Sequence, residues 1–210
     1  MPKDLIFCSD LHGNFSYLRN VIDGFSDCRI IQLGDLGIGF AGYPWPESWS
    51  SHFSFIRGNH DSPEICRKHP NYLGDYGYIE DAGLFYLSGA SSIDREIRTA
   101  GVNWWDGEQL SFLELKDVIR LYAEKRPKIL ITHTAPQAFF KKLGVTRPLP
   151  DRTSDAIQVM LDAWRPAVYI FAHFHYSTSF VHKKMKVVAL DTEQLYRLNP
   201  ETLKGERVML

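Results

Sequence analysis

Cysteine is scarce in this chain. The three present, Cys8, Cys28 and Cys66, form an odd set with no C-x-x-C spacing. That argues against a disulfide framework and for a reducing compartment. Cys8 and Cys28 lie in or beside apolar runs and are expected to be small core residues. An excess of charge of either sign is also lacking. With 24 basic and 25 acidic residues the net charge is −1, which gives no electrostatic reason to bind nucleic acid or an anionic membrane. No apolar run is long enough to span a bilayer, and the opening MPKDLIFCSD meets charge too early for a secretory leader. Repeats, low-complexity tracts and linkers are absent as well. The expectation is one cytoplasmic globular domain over residues 1–210, whose 44% hydrophobic content allows a sizeable core.

What is present alternates between two patterns. Apolar, β-prone runs recur at Leu5–Cys8, Ile30–Leu33, Phe53–Ile56, Leu84–Leu87, Ile129–Thr132, Val168–Ala172 and Val187–Leu190. Several are continuous, which predicts strands covered on both faces. Between them, Leu18, Val21, Ile22 and Phe25 follow helical spacing. Ser111 and Glu114 resemble a capping box ahead of a stripe at Leu115, Val118, Ile119 and Tyr122. Asp151, Thr153 or Ser154 is placed to cap a helix carrying Ile157, Met160, Leu161 and Trp164, ended by Pro166. Ser62-Pro63 opens a short helix. The Gly-, Pro- and aromatic-rich stretch Gly39–Ser51 reads as a long surface loop. From Val187 onward the chain is expected to add antiparallel strands at one edge. The sum is an α/β domain.

The chemistry lies where the strands stop. The run FIRGNHDS, residues Phe55–Ser62, breaks off in Gly-Asn-His-Asp, which taken alone reads equally well as a β-turn. Four other strands end the same way. Leu5–Cys8 leads to Asp10 and His12, Ile30–Leu33 to Asp35, Ile129–Thr132 to His133, and Val168–Ala172 to His173 and His175. Each alone has an ordinary explanation as a turn former, cap or hydrogen-bonded polar residue. Five such endings in one chain are not independent accidents. In an open α/β sheet, ligands bind beyond the carboxyl ends of the strands, so these groups are expected to converge.

D-x-H-G-N, G-D, G-N-H-D, a lone His and A-H-F-H, in this order, resemble the calcineurin-like metallophosphoesterase superfamily. The motifs run from Asp10 to His175. The resemblance implies a four-layer αββα sandwich of two mixed sheets face to face with helices outside. It implies two divalent metal ions, the first held by Asp10, His12, Asp35 and His175, the second by Asp35, Asn59, His133 and His173, with Asp35 as the bridge. It also makes His60 the proton donor to the leaving group, with Asn59 and Asp35 beside it. Oxygen and imidazole donors without thiolate suit manganese, iron, zinc or nickel, and manganese is the expected metal. Two cations ~3.5–4 Å apart activate water as hydroxide and polarise a phosphoryl oxygen, so a phosphomonoesterase or phosphodiesterase follows. A small phosphodiester or nucleotide is the expected substrate.

Two departures stand out. The run GDLGIGF has Ile38 and Gly39 where protein phosphatases of this superfamily carry Asp and Arg, which disfavours a phosphoprotein phosphatase. Arg57, Arg95 or Arg98 is left to supply a phosphate contact, though Arg57 fits a structural ion pair equally well. Asp94 and Arg95 are expected to hold loops together, while Trp104 and Trp105 suit either the core or the wall of the cleft. Tyr43, Trp45 and Trp49 follow the Asp35 motif and suit either of two places: over the metal cleft, where they would stack on a leaving group, or pinned to the domain. The competing function class is a non-catalytic scaffold of the same fold, which predicts lost ligands or a lost His60.

Overall fold

Alternation along the first strand sets the layers. In β1 (Leu5–Cys8), Leu5 and Phe7 pack with one cluster of buried residues while Ile6 and Cys8 pack with another, as period-two side chains must. The computed structural model describes residues 4–40, 45–146 and 150–210. Beside β1, in parallel, run β2 (Arg29–Leu33) and then β3 (Phe53–Ile56). The second sheet is built from β4 (Tyr76–Ile79), β5 (Leu84–Leu87), β6 (Ile129–Thr132), β7 (Val168–Phe171), β8 (Thr178–His182) and β9 (Met185–Ala189). The chain then returns to the first sheet through β10 (Leu195–Leu198) and β11 (Gly205–Val208). The strand orders are β11-β10-β1-β2-β3 and β4-β5-β6-β7-β9-β8.

Three apolar clusters separate four layers. Between the sheets, Leu5, Phe7, Ile31 and Leu33 meet Leu84, Ile129, Ile131 and Ile170. Outside the first sheet, helix α1 (Phe15–Gly24) contributes Leu18, Val21 and Ile22. Outside the second, helices α3 (Phe112–Lys125) and α5 (Arg152–Ala163) contribute Leu115, Val118 and Tyr122, and Ile157, Met160 and Leu161. The short helices α2 (Pro63–Cys66) and α4 (Gln137–Phe140) lie in connections. The αββα sandwich expected from the motifs is therefore present. Full burial of each large apolar side chain contributes about 1.5–3 kcal/mol, and all three cysteines are buried and free.

Local expectations hold at the caps. The Ser111–Glu114 capping box is formed in both directions, and Asp151 accepts from the Thr153 and Ser154 amides. The α5 helix stops at Ala163, so Trp164 falls outside it, with Pro166 two residues further on. The carboxy-terminal segment differs in part from expectation. β11 is an antiparallel edge strand, but β10 pairs with both β11 and β1, and β9 is interior and parallel to β7. No helix among the described residues is long and apolar enough to cross a membrane.

Candidate active site

Strand pairing carries on past the strand ends and fixes the motif loops. The amide of Asp10 donates to the Gly34 carbonyl at 3.2 Å, and that of His12 to the Asp35 carbonyl at 2.9 Å. The Ala172 amide donates to the His133 carbonyl at 2.9 Å. These loops hold uncommon backbone. Asp10 (φ 47°), His12 (45°), Asp35 (56°), His173 (72°) and His175 (46°) are all left-handed. Such conformations cost on the order of 1–3 kcal/mol each and concentrate at functional sites.

Two glycines make room for the side chains. A Cβ on Gly58 would collide with Asp35 Oδ1, and one on Gly34 would lie 2.5 Å from His133 Nδ1. At Gly58 the need is for space and not for a left-handed backbone, since its φ is not positive.

All eight predicted residues come together. Around one point, His12 Nε2 and His175 Nε2 are 3.1 Å apart, and Asp10 Oδ1 is 3.5 Å from His175 Nε2. Around a second, His133 Nε2 lies 3.2 Å from Asp35 Oδ1 and 3.3 Å from Asn59 Oδ1, with His173 beside them. Asp35 also clusters with His12 and His60, which places it between the two groups. Donor atoms ~2.0–2.2 Å from one cation stand roughly 3–3.5 Å apart at octahedral or tetrahedral angles. The observed spacings match. Asp10 Oδ1 is fully buried without a hydrogen-bond partner, a costly state that a cation would relieve. The donor set therefore fits two metal ions.

Electrostatics separates the imidazoles. Burial opposes charge on Asp35, but His133, His60 and His12 outweigh it and hold the carboxyl well below its usual range. Burial likewise disfavours a charged His133, yet Asp35 and Asp10 raise its pKa to about 9. His133 Nδ1 stands 2.7 Å from the Leu33 carbonyl oxygen, so that nitrogen keeps its proton, and Nε2, facing Asp35, is the one that titrates. Burial pushes His173 down to about 3, aided by the His133 charge. The Asp10 carboxylate, 3.5 Å from His175 Nε2, raises the pKa of His175.

His60 stands slightly apart. Its ring stacks on Phe40 at 5.5 Å, meets His12 edge-on at 4.9 Å, and keeps Nε2 4.0 Å from Asp35 Oδ2. Its own amide donates to Asp35 Oδ1 at 2.8 Å. Arg98 is the base beside it, held by Asp94 through Nε and bonded to the Asn103 carbonyl. The other two candidate bases point elsewhere. Arg57 is buried, pairing with Asp75 at 2.9 Å and donating to the Glu108 carbonyl at 2.7 Å. Arg95 lies over the Trp104 ring at 4.2 Å.

Asp61 closes the G-N-H-D motif and has a structural task that its place in the sequence does not signal. Its buried carboxylate accepts from the amides of Leu36, Gly37, Ile38 and Gly58, tying the G-D loop to the G-N-H-D loop. Asn14 caps α1 by accepting from the Tyr17 amide and donates to Glu193. The aromatic loop is pinned to the domain. Trp49 packs against His69, Phe53, Phe15 and Phe55, and Trp45 joins the same cluster, so the placement over the cleft fails for both. Tyr43 lies outside the described residues.

The sequence profile of the calcineurin-like phosphoesterases matches residues 4–177. Among curated proteins none matches. A Thermus thermophilus protein of known structure superposes with a TM-score of 0.63 at 15% identity, covering 99% of each chain. A putative 5'-nucleotidase from Staphylococcus aureus superposes with a TM-score of 0.51 at 15% identity, over 98% of this chain and 53% of that one. At such identities these likenesses speak for the fold. With the family profile spanning every motif from Asp10 to His175, the chain belongs to the calcineurin-like phosphoesterase family, whose members are metal-dependent phosphoric ester hydrolases.

Proposed function

We propose that this protein is a dinuclear metallophosphohydrolase of the cytoplasm, acting on small phosphomonoesters or phosphodiesters, nucleotides among them. The observation that carries the reading is the convergence of two donor clusters beside one further histidine, His60, to which we assign no cation. Asp10, His12, Asp35 and His175 would hold one divalent cation, and Asp35, Asn59, His133 and His173 the other. Manganese is our assignment, and iron, zinc and nickel suit the same donors. When bound, such a pair supplies Lewis acidity, taking the pKa of water from about 15.7 towards neutrality and polarising a phosphoryl oxygen.

The chain's own residues do the rest. Asp35 stays anionic because three imidazoles surround it, which suits a carboxylate shared between two sites. His173, kept neutral by burial, keeps a ring lone pair for coordination. His60 delivers a proton to the departing oxygen, so ester plus water gives alcohol plus phosphate, or a monoester from a diester. Arg98 lies along the His60 ring and adds positive charge where the phosphoryl group would stand. A scaffold would not need this set of ligands intact, nor His60. Loading the protein with manganese and assaying mono- and diesters alongside metal analysis tests the reading. Two equivalents of metal with metal-dependent turnover are expected; no turnover on any ester overturns it.

A further inference from the structure

The cavity over the candidate centre has a volume of about 680 Å³. That is within the ~300–1,000 Å³ of sites that enclose whole small molecules and much more than a phosphoryl group needs. Its lining combines His60, Asp35 and their neighbours with an apolar set, Phe140, Leu143, Val145 and Phe174, and with Ile93, which is 78% exposed; Ser91, Thr134, Gly144 and Thr146 complete it. Phosphoryl transfer does not require such a surface, and leaving it wet is unfavourable.

The wall is built. Phe140 closes α4, and the Val145 amide returns to the Phe140 carbonyl at 2.9 Å, folding the intervening turn against the domain. The Phe140 ring meets Phe174 at 5.3 Å and 61°, and Phe174 in turn rests on Phe171 at 6.0 Å. Phe140 and Leu143 are buried, while Phe174 and Val145 are only half-buried and line the cavity. The lining also has two acids and one base outside the candidate metal ligands and His60. Asp94 is paired with Arg98, and Asp151 is engaged as the α5 cap. Outside the candidate metal ligands and His60, then, each acid and base among the described lining residues already has a partner within the protein.

We propose that this wall seats the alcohol portion of the ester, and that the leaving group is uncharged and carries an apolar, aromatic face. The proposal rests on the phosphohydrolase reading and names its substrate class: esters of aromatic or ring-bearing alcohols, in preference to polyol phosphates or phosphopeptides. Covering Phe174 and Val145 removes apolar surface from water, and a ring packs on Phe174 in offset or edge-on geometry.

The test compares 2-phenylethyl with ethyl esters, whose alcohols have similar acidity, each as the monoester and the methyl diester. The kcat/KM ratio cancels any loss of folded or metal-loaded enzyme. Wild type is expected to favour the phenylethyl ester by roughly tenfold or more. Val145→Asp should bring the ratio close to one, and the milder Val145→Ser should lower it in part. Titration calorimetry with 2-phenylethylphosphonate and ethylphosphonate should show the same ordering in Kd. A wild-type ratio near one, or a ratio unmoved in both variants, overturns the wall and leaves the hydrolase standing. Turnover of neither ester by metal-loaded protein overturns the phosphohydrolase reading and this proposal with it.

Discussion

Arg98 lays its guanidinium along the ring of His60, with Nη2 2.7 Å from Nε2 and Nη1 3.2 Å from Nδ1. Burial lowers the pKa of His60, Asp35 pulls it back, and the Arg98 charge lowers it again. Removing that charge must therefore raise it. A proton donor works in its protonated form, so the high-pH limb of kcat/KM should move to higher pH in Arg98→Ala. Arg98→Lys keeps the charge but loses the fork, so its limb should stay near the wild-type position. Both variants should lose about 10–100-fold at neutral pH through misplacement of the ring. A limb at the same pH in wild type and Arg98→Ala would show that the contact does not tune His60.

How much of this was legible beforehand depended on the kind of signal. Strands covered on both faces, such as Ile129–Thr132, declare themselves as continuous apolar runs, and their polar endings were visible for the same reason. Two strands that nothing in the sequence announced, β4 and β8, are the edges of the second sheet. The first, YGYI, is half-buried throughout, and the second, TSFVH, alternates between half-buried and exposed. Edge strands carry no continuous apolar run to find. The wall was invisible too, because Phe140 ends a helix of only four residues, too short for a periodic stripe. The place of Trp45 and Trp49 stayed open because they follow Asp35 in the chain, whereas in space both join the cluster outside the first sheet, Trp49 against Phe53 and His69.

That placement gives Trp49 a structural consequence. Trp49→Ala removes contacts to four aromatic neighbours but touches nothing in the cavity. Since the ring is half-buried, the loss should be about 2 kcal/mol, below the ~3–5 kcal/mol of a fully buried Trp. Denaturant unfolding should show that loss while kcat/KM for any accepted ester stays within twofold. A large drop in kcat/KM without loss of stability would return the loop to the cleft.

Asp35 and His133 make the candidate metal centre pH-sensitive. In chelator-treated protein the His133 pKa of about 9 exceeds its ordinary 6.5. Its stabilisation is then complete below about 6.5 and is lost as pH rises through 9. Asp35 titrates well below 3.8, so its contribution holds above that value and falls away in acid. Cations must displace the His133 proton, so metal affinity should climb with pH up to about 9. Asp35→Asn should damage both sites, whereas His12→Ala should chiefly weaken one. Two full equivalents of metal in both variants would remove Asp35 from its bridging role.

His60 decides between an enzyme and an inert fold. It lies outside both sets of proposed ligands, so His60→Ala should fold and take up two metal ions as wild type does. The ring's contacts to Phe40 and Arg98 are lost, but none of the proposed donors is. Turnover should nevertheless fall by roughly 10²–10⁴, the contribution of a positioned proton donor. The fall should be greatest for alkyl esters, whose leaving oxygen is strongly basic and departs badly unprotonated. For an activated aryl ester, whose phenolate leaves unaided, the fall should shrink markedly. A scaffold has no metal-dependent turnover for the substitution to remove. Measuring both esters in both proteins at matched metal content separates the cases: equal losses would keep the hydrolase but assign the proton to another group.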